Sequence, residues 1–213
     1  VTRRRVGVLI SGRGSNFSAL AAAAAAADFP AEIVVVLAND PSAMGLGLAK
    51  DAGIPAFGVD HRKFGRDRET HERAMQAVLE AQGVELVCLA GYMRLLTPFF
   101  VGAWRGRMLN IHPSLLPAFP GLHTHERALA AGAKIHGCTV HGVTDTMDEG
   151  PILGQAAVPV LPGDTAETLA ARVLAQEHRL YPAVLRAFLE GARNAPGAGA
   201  CLINPLPGPA VAP

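Results

Sequence analysis

Short apolar, β-branched runs open the chain at Val6–Ile10, Ile33–Ala38, Ala56–Val59 and Leu86–Ala90, and stretches suited to helix fall between them, including the alanine run at 19–27 and Arg68–Gln82. Alternation of this kind is a βαβ rhythm. The runs are apolar at nearly every position rather than at every second one, so they predict a parallel sheet covered by helices on both faces. Right-handed crossovers then align the carboxyl ends of the strands along one edge, where a ligand is expected.

The rhythm changes after Gly91. Met108–Ile111, Thr139–Val143 and Ile152–Val160 read as strands, with a proline-punctuated segment from Pro113 to Pro120 among them. Proline makes that segment stiff, and its length without helical or strand periodicity points to a functional loop. Thr165–Glu190 predicts one amphipathic helix, with Leu169, Val173, Leu180, Val184 and Phe188 near helical spacing and Pro182 expected to bend or divide it. Residues 1–192 read as one compact domain, and residues 193–213, rich in Gly, Ala and Pro, as an irregular tail. No internal repeat is visible.

Composition narrows the class. The chain has 213 residues, 50% of them hydrophobic, which is enough for one sizeable core. No run reaches the roughly 18 apolar residues of a membrane helix, and the arginines leading into Val6–Ile10 are followed by too short an apolar run for a signal peptide. A soluble, cytoplasmic protein with no membrane partner is expected. Cys88, Cys138 and Cys201 are scattered and form no C-x-x-C pair, so buried reduced thiols are expected. A formal net charge of +1 disfavours nucleic acid as partner, and Arg3, Arg4 and Arg5 read as a solvated approach to the first strand. A small-molecule ligand fits better.

Ser11-Gly-Arg-Gly-Ser-Asn16 lies between the first strand and the first helix, where free amides and the helix dipole suit an anion. It is not a Walker A loop, because no Gly-Lys-Ser/Thr follows, and Phe17 stands at the third glycine position of a dinucleotide fingerprint. A single phosphate is the economical ligand. Asp40, ending the second strand, keeps a dinucleotide open, and a tight turn capped by Ser15 or Asn16 is the structural alternative.

Asn110 and His112 stand two apart at the end of a predicted strand, so both side chains share one face. An amide can donate to a carbonyl oxygen while an imidazole exchanges a proton near neutral pH, and together they can polarise an acyl group and stabilise its oxyanion. A nearby carboxylate favours imidazolium, and Asp145, Asp148 and Glu149 are rivals for that place on chemistry alone. A satisfied core histidine and a turn-forming aspartate are the bland alternative. His123, His125, His136 and His141 invite a metal, yet no recognised ligand spacing such as H-E-x-x-H joins them. Ser114 lies outside any G-x-S-x-G elbow, which argues against an acyl-enzyme.

Six blocks together resemble the phosphoribosylglycinamide formyltransferase family in order and approximate spacing: Ser11–Asn16, Leu89-Ala-Gly-Tyr-Met-Arg94, Asn110-Ile-His-Pro-Ser-Leu-Leu-Pro117, Pro120-Gly-Leu-His-Thr-His125, Gly137-Cys-Thr-Val-His141 and Asp148-Glu-Gly-Pro151. The likeness runs from about Val6 to Pro182. Asn-x-His with a downstream Asp belongs to formyltransferases widely, whereas Gly-Leu-His-Thr-His narrows the acceptor. Relatives acting on methionyl-tRNA or hydrolysing the donor normally carry an added domain, which is not expected in these 213 residues.

The resemblance implies a Rossmann-like three-layer α/β/α formyltransferase fold, its central sheet mostly parallel with antiparallel additions in the C-terminal half. It implies formyl transfer from 10-formyltetrahydrofolate to glycinamide ribonucleotide in purine biosynthesis, with no metal required, in a monomer or homodimer. Asn110, His112 and Asp148 are then catalytic. Gly14, Ser15 and Asn16 hold the phosphoribosyl part, and Glu177 contacts the glycinamide side. Met93, Arg94, Leu95 and Leu96 line the pterin pocket, with Arg68, Val143, Thr144, Asp145 and Met147 adding folate contacts. Arg13 stands where asparagine is common and Tyr92 where phenylalanine is common. Neither change removes a backbone amide or a proposed catalytic group.

Overall fold

The computed structural model describes residues 3–191 and 201–203. Strands β1 (Arg4–Ile10), β2 (Ala31–Ala38), β3 (Ala56–Gly58) and β4 (Leu86–Leu89) are followed by β5 (Met108–His112), β6 (Ile135–Gly142), β7 (Ile152–Pro159) and β8 (Cys201–Ile203). Helices α1 (Ser15–Ala24), α2 (Met44–Asp51), α3 (Arg68–Ala81), α4 (Pro98–Ala103), α5 (Thr124–Ala130) and α6 (Ala166–Leu189) connect or cover them. All the strands form one sheet in the order β3-β2-β1-β4-β5-β6-β7-β8. β3 through β5 pair in parallel, β6 is antiparallel to both β5 and β7, and β8 runs parallel to β7.

Alternation along β1 shows why its sequence is apolar from Val6 onward, after the exposed Arg4 and Arg5. Val6, Val8 and Ile10 pack with Phe17 and Leu20 of α1 and Leu169, Val173 and Val184 of α6, whereas Leu9 points the other way toward Met75 and Leu79 of α3 and Phe100 of α4. Both faces are dry, so a half-polar strand would strand polar groups in the core. Cys88 and Cys138 are buried and free. Among the described residues no helix is long and apolar enough to cross a membrane.

Several elements depart from the sequence expectation. α2 and α4 are short helices that periodicity did not reveal; α4 starts at Pro98, where the missing N–H costs no helical bond. The alanine run stops being helical at Ala24: the Arg3 guanidinium donates to the Ala24 oxygen, and the chain then turns to bury Phe29. Pro182 does not divide α6, which runs through it from Ala166 to Leu189. Burial on both sides of the proline, at Leu180, Tyr181, Val184 and Leu185, offsets the lost backbone bond. Within the region expected to be an irregular tail, Cys201–Ile203 add a strand to β7, and the rest of 193–213 lies outside the described residues.

Chain direction fixes where ligands can bind. From β1 the chain builds outward through β2 to β3, then returns to β4 and builds the other way, so strand order reverses between β1 and β4. The loops leaving those two strands diverge and open a crevice at the carboxyl edge.

Candidate active site

The glycine loop leaves β1 on one side of that crevice. Gly14 has φ 77°, a left-handed conformation that glycine adopts without steric cost, and it is the N-cap of α1 with no side-chain capping bond. Neither Ser15 nor Asn16 caps the helix, so the amides of its first turn stay available for an anion. The loop rests on α2: a Cβ on Gly14 would lie 2.7 Å from the Gly45 Cα, and the Gly45 N–H donates to the Gly12 oxygen at 3.0 Å. Asp40 instead closes its own turn, accepting from Ser42 N and Oγ at 2.9 and 2.7 Å, and pairs with Arg62 at 3.4 Å. Its carboxylate is committed there, which removes the dinucleotide alternative's support.

Asn16 turns inward. Its Nδ2 donates to Glu177 Oε2 on α6 at 2.6 Å, while its Oδ1 is buried with no partner among the described residues. Burial pushes the Glu177 carboxyl up, outweighing the Asn16 bond and nearby Arg13. An orphaned acceptor beside a carboxylate is suited to a ligand bearing N–H or O–H groups.

Across the crevice, the loop after β4 is tied to the glycine loop. Ser11 N donates to the Gly91 oxygen at 3.2 Å, and Ser11 Oγ accepts from Met93 N at 2.8 Å while donating to Asn39 Oδ1. Met93 and Leu95 are 66% and 59% exposed, and Met147 is 54% exposed. Leu96 packs against the core, Arg68 reaches the Leu95 oxygen at 3.3 Å, and the Arg94 charge is felt at His71. Val143 N donates to the oxygen of Met108, the first residue of β5. Thr144 Oγ1 donates to the Thr146 oxygen, and the Asp145 carboxylate pairs with Arg105 at 2.8 Å.

Asn110, His112 and Asp148 converge. His112 is 6% exposed, with Nδ1 3.5 Å from Asp148 Oδ2 and Nε2 3.0 Å from the Phe119 oxygen in the proline loop. Both ring nitrogens thus face oxygen atoms. Asp148 has φ 58°, and its Oδ2 also accepts from Gly121 N at 2.8 Å, tying the loop after β6 to the proline loop. Of the three rival carboxylates, Asp148 lies beside His112 while Asp145 pairs with Arg105, and no contact of Glu149 with this cluster is seen among the described residues.

One member was missed by sequence reasoning. His141, singled out only as a metal candidate, lies with Nε2 3.1 Å from Asn110 Nδ2 and 3.7 Å from Asp148 Oδ1. Its signal was the antiparallel register, which sets Asn110 opposite His141, and register cannot be read from one strand alone. His125 and His136 bond to each other at 3.2 Å, and burial together with His125 pulls His136 down to about 4. Among the described residues no group of three or more His, Cys, Asp or Glu is arranged to hold a metal ion. A groove of about 470 Å³ between α1, α2 and β2 is lined by alanines, Leu48 and Ile54 together with Arg3, Ser18 and Glu32, and none of the site residues expected from the sequence lines it.

Comparison with known proteins follows from this geometry. Residues 4–185 match the formyl transferase family. The chain is 44% identical over 184 residues to phosphoribosylglycinamide formyltransferase of Escherichia coli (strain K12), covering 86% of each chain. It is 47% identical over 191 residues to the trifunctional purine biosynthetic protein adenosine-3 of Drosophila melanogaster, covering 89% of this chain and spanning 14% of that relative's length. The crystal structure of phosphoribosylglycinamide formyltransferase from Brucella melitensis superimposes with a TM-score of 0.84 at 58% identity, over 89% of this chain and 97% of that one.

Proposed function

The chain belongs to the formyl transferase family, with the phosphoribosylglycinamide formyltransferases, and from that premise we propose that it transfers a formyl group from 10-formyltetrahydrofolate to the amine of glycinamide ribonucleotide. One observation carries the site assignment: Asn110, His112 and Asp148 meet at the carboxyl edge of β5, on the same crevice as a glycine loop whose Asn16 offers an unpartnered buried acceptor. A hydrolase needs no built nucleotide loop, so the loop favours transfer to a phosphoribosyl amine.

The folate supplies a formyl group on its N10 nitrogen. In this reading Gly14, Ser15 and Asn16 hold the phosphoribosyl part through backbone amides, and Asn16 Oδ1 with Glu177 receives N–H or O–H groups of the acceptor. Met93, Leu95, Leu96 and Met147 give the pterin an apolar bed beside Arg68, Arg94, Val143, Thr144 and the main chain of Asp145. Attack of the amine nitrogen on the formyl carbon forms a C–N bond and places negative charge on the formyl oxygen. Asn110 Nδ2 donates to that oxygen, and His112 exchanges its bond to the Phe119 carbonyl for one to the same oxygen. Asp148 holds the His112 ring and balances its charge. The C–N10 bond then breaks as a proton lost by the amine reaches N10, giving formylated product and tetrahydrofolate with no enzyme-bound acyl group.

Purified protein given 10-formyltetrahydrofolate and glycinamide ribonucleotide is expected to produce tetrahydrofolate and formylated nucleotide in equal amounts. Formate in place of formylated nucleotide, or no turnover by a folded sample, overturns the proposal.

A further inference from the structure

His141 is not needed for the reaction as written, yet it is 2% exposed in the middle of the polar cluster. Its Nδ1 lies 3.0 Å from the Gly142 oxygen. A carbonyl only accepts, so Nδ1 carries the hydrogen. Burial pulls the His141 pKa down, outweighing Asp148, so the ring is neutral and its Nε2 is a bare lone pair. That lone pair sits 3.1 Å from the side-chain amide of Asn110. It attracts an N–H and repels a carbonyl oxygen, so the chemistry of the imidazole decides which end of the amide faces it. Asp148 is no rival: its Oδ1 is 3.7 Å from Nε2, beyond hydrogen-bond reach, and its Oδ2 serves His112 and Gly121.

Two backbone features place the ring. Asn110 and His141 are direct partners across β5 and β6, so their side chains share a face. The pairing of β6 with β7 shifts register between Val140 and His141, a local irregularity of the kind that re-aims a side chain. Gly142 and Gly150 close the turn behind it, where a Cβ on Gly150 would come within 1.7 Å of the Gly142 oxygen, the atom that holds His141 Nδ1–H.

We propose that His141 is a positioning residue for formyl transfer: as the neutral Nδ1–H form it accepts one Asn110 amide N–H at Nε2 and thereby fixes the amide as a donor, leaving the second N–H for the developing oxyanion. Without this acceptor the amide can rotate and present its oxygen, which repels the charge it should stabilise. The inference rests on the assignment of Asn110 to the formyl oxygen.

Nitrogen-15 NMR of the histidine-labelled protein at neutral pH is expected to show His141 protonated at Nδ1 and not at Nε2, with a coupling across the Asn110 bond. An Nε2–H form overturns the proposal whatever the enzyme's turnover. His141→Ala is expected to lower kcat on the order of 10-fold to 100-fold, less than loss of an oxyanion donor outright, with both KM values within about twofold. His141→Gln, whose side-chain oxygen can accept in place of Nε2, is expected to recover part of that rate. Wild-type kcat in His141→Ala, or equal losses in kcat and binding, overturns it, and if the alanine variant does not fold the glutamine variant and the spectrum decide. Wild-type protein without formyl transfer would instead defeat the functional assignment and leave the tautomer standing.

Discussion

The two halves of the sheet hold their polar groups by different means. On the parallel side, the loop after β1 offers backbone amides, and its shape depends on what glycines lack: Gly14 at φ 77° lies against Gly45, where a Cβ would come within 2.4 Å of Ile10 Cδ1. On the antiparallel side, Asn110, His112, His141 and Asp148 present side-chain atoms held 2.8–3.7 Å from their neighbours. A backbone site is robust to exchange of its surface side chains but fails when atoms are added behind it. A side-chain site fails when a single donor or acceptor changes.

The sharpest break in that contrast is at the side-chain site. His112→Ala and Asp148→Asn are each expected to lower kcat by about 10²- to 10⁴-fold, as loss of a positioned proton-transfer or charge-stabilising group does. Nucleotide affinity, measured by calorimetry, should hold, and near-normal turnover in either variant refutes its role.

Gly45→Ala tests the backbone site in the opposite sense. The added methyl forces the loop off Ile10 and Gly14, so the nucleotide KM is expected to rise about tenfold while kcat at saturation stays within about twofold. An unchanged KM in a folded variant would show that the loop does not depend on this packing.

The smallest effect lies where the halves meet, at Glu177 and Asn16. Burial raises the Glu177 carboxyl above its ordinary 4.5, so the folded protein holds this proton more tightly than the unfolded chain. That contribution to stability is complete below the unfolded value and is lost as pH rises through the folded one. Glu177→Gln is neutral at every pH, so its melting temperature should gain on wild type by a few degrees between about pH 4 and pH 8. A gap that does not change with pH sinks the assignment of a raised carboxyl.

Legibility in the sequence followed the range of the interaction. Strands β1, β2 and β4 were readable because both their faces are buried and almost every position is apolar. Helices α2 and α4 escaped because eight and six residues are too few to display a helical period. Pro182 was overrated because tertiary burial along α6 outweighs one missing hydrogen bond. At the site, the glycine loop and the Asn110–His112 pair were visible as local patterns, but Asp148 could be separated from Asp145 only by resemblance until the ion pairs were seen.

By itself, the sequence determined the alternation of strand and helix, the glycine turn after β1 and the shared face of Asn110 and His112, because each depends on residues close in the chain. Only the tertiary structure decided that Asp145 faces Arg105 while Asp148 faces His112, that Asn16 meets Glu177 across 161 positions, and that His141 stands opposite Asn110. Those pairings come from sheet register and helix packing, where a shift of one residue turns a side chain to the opposite face.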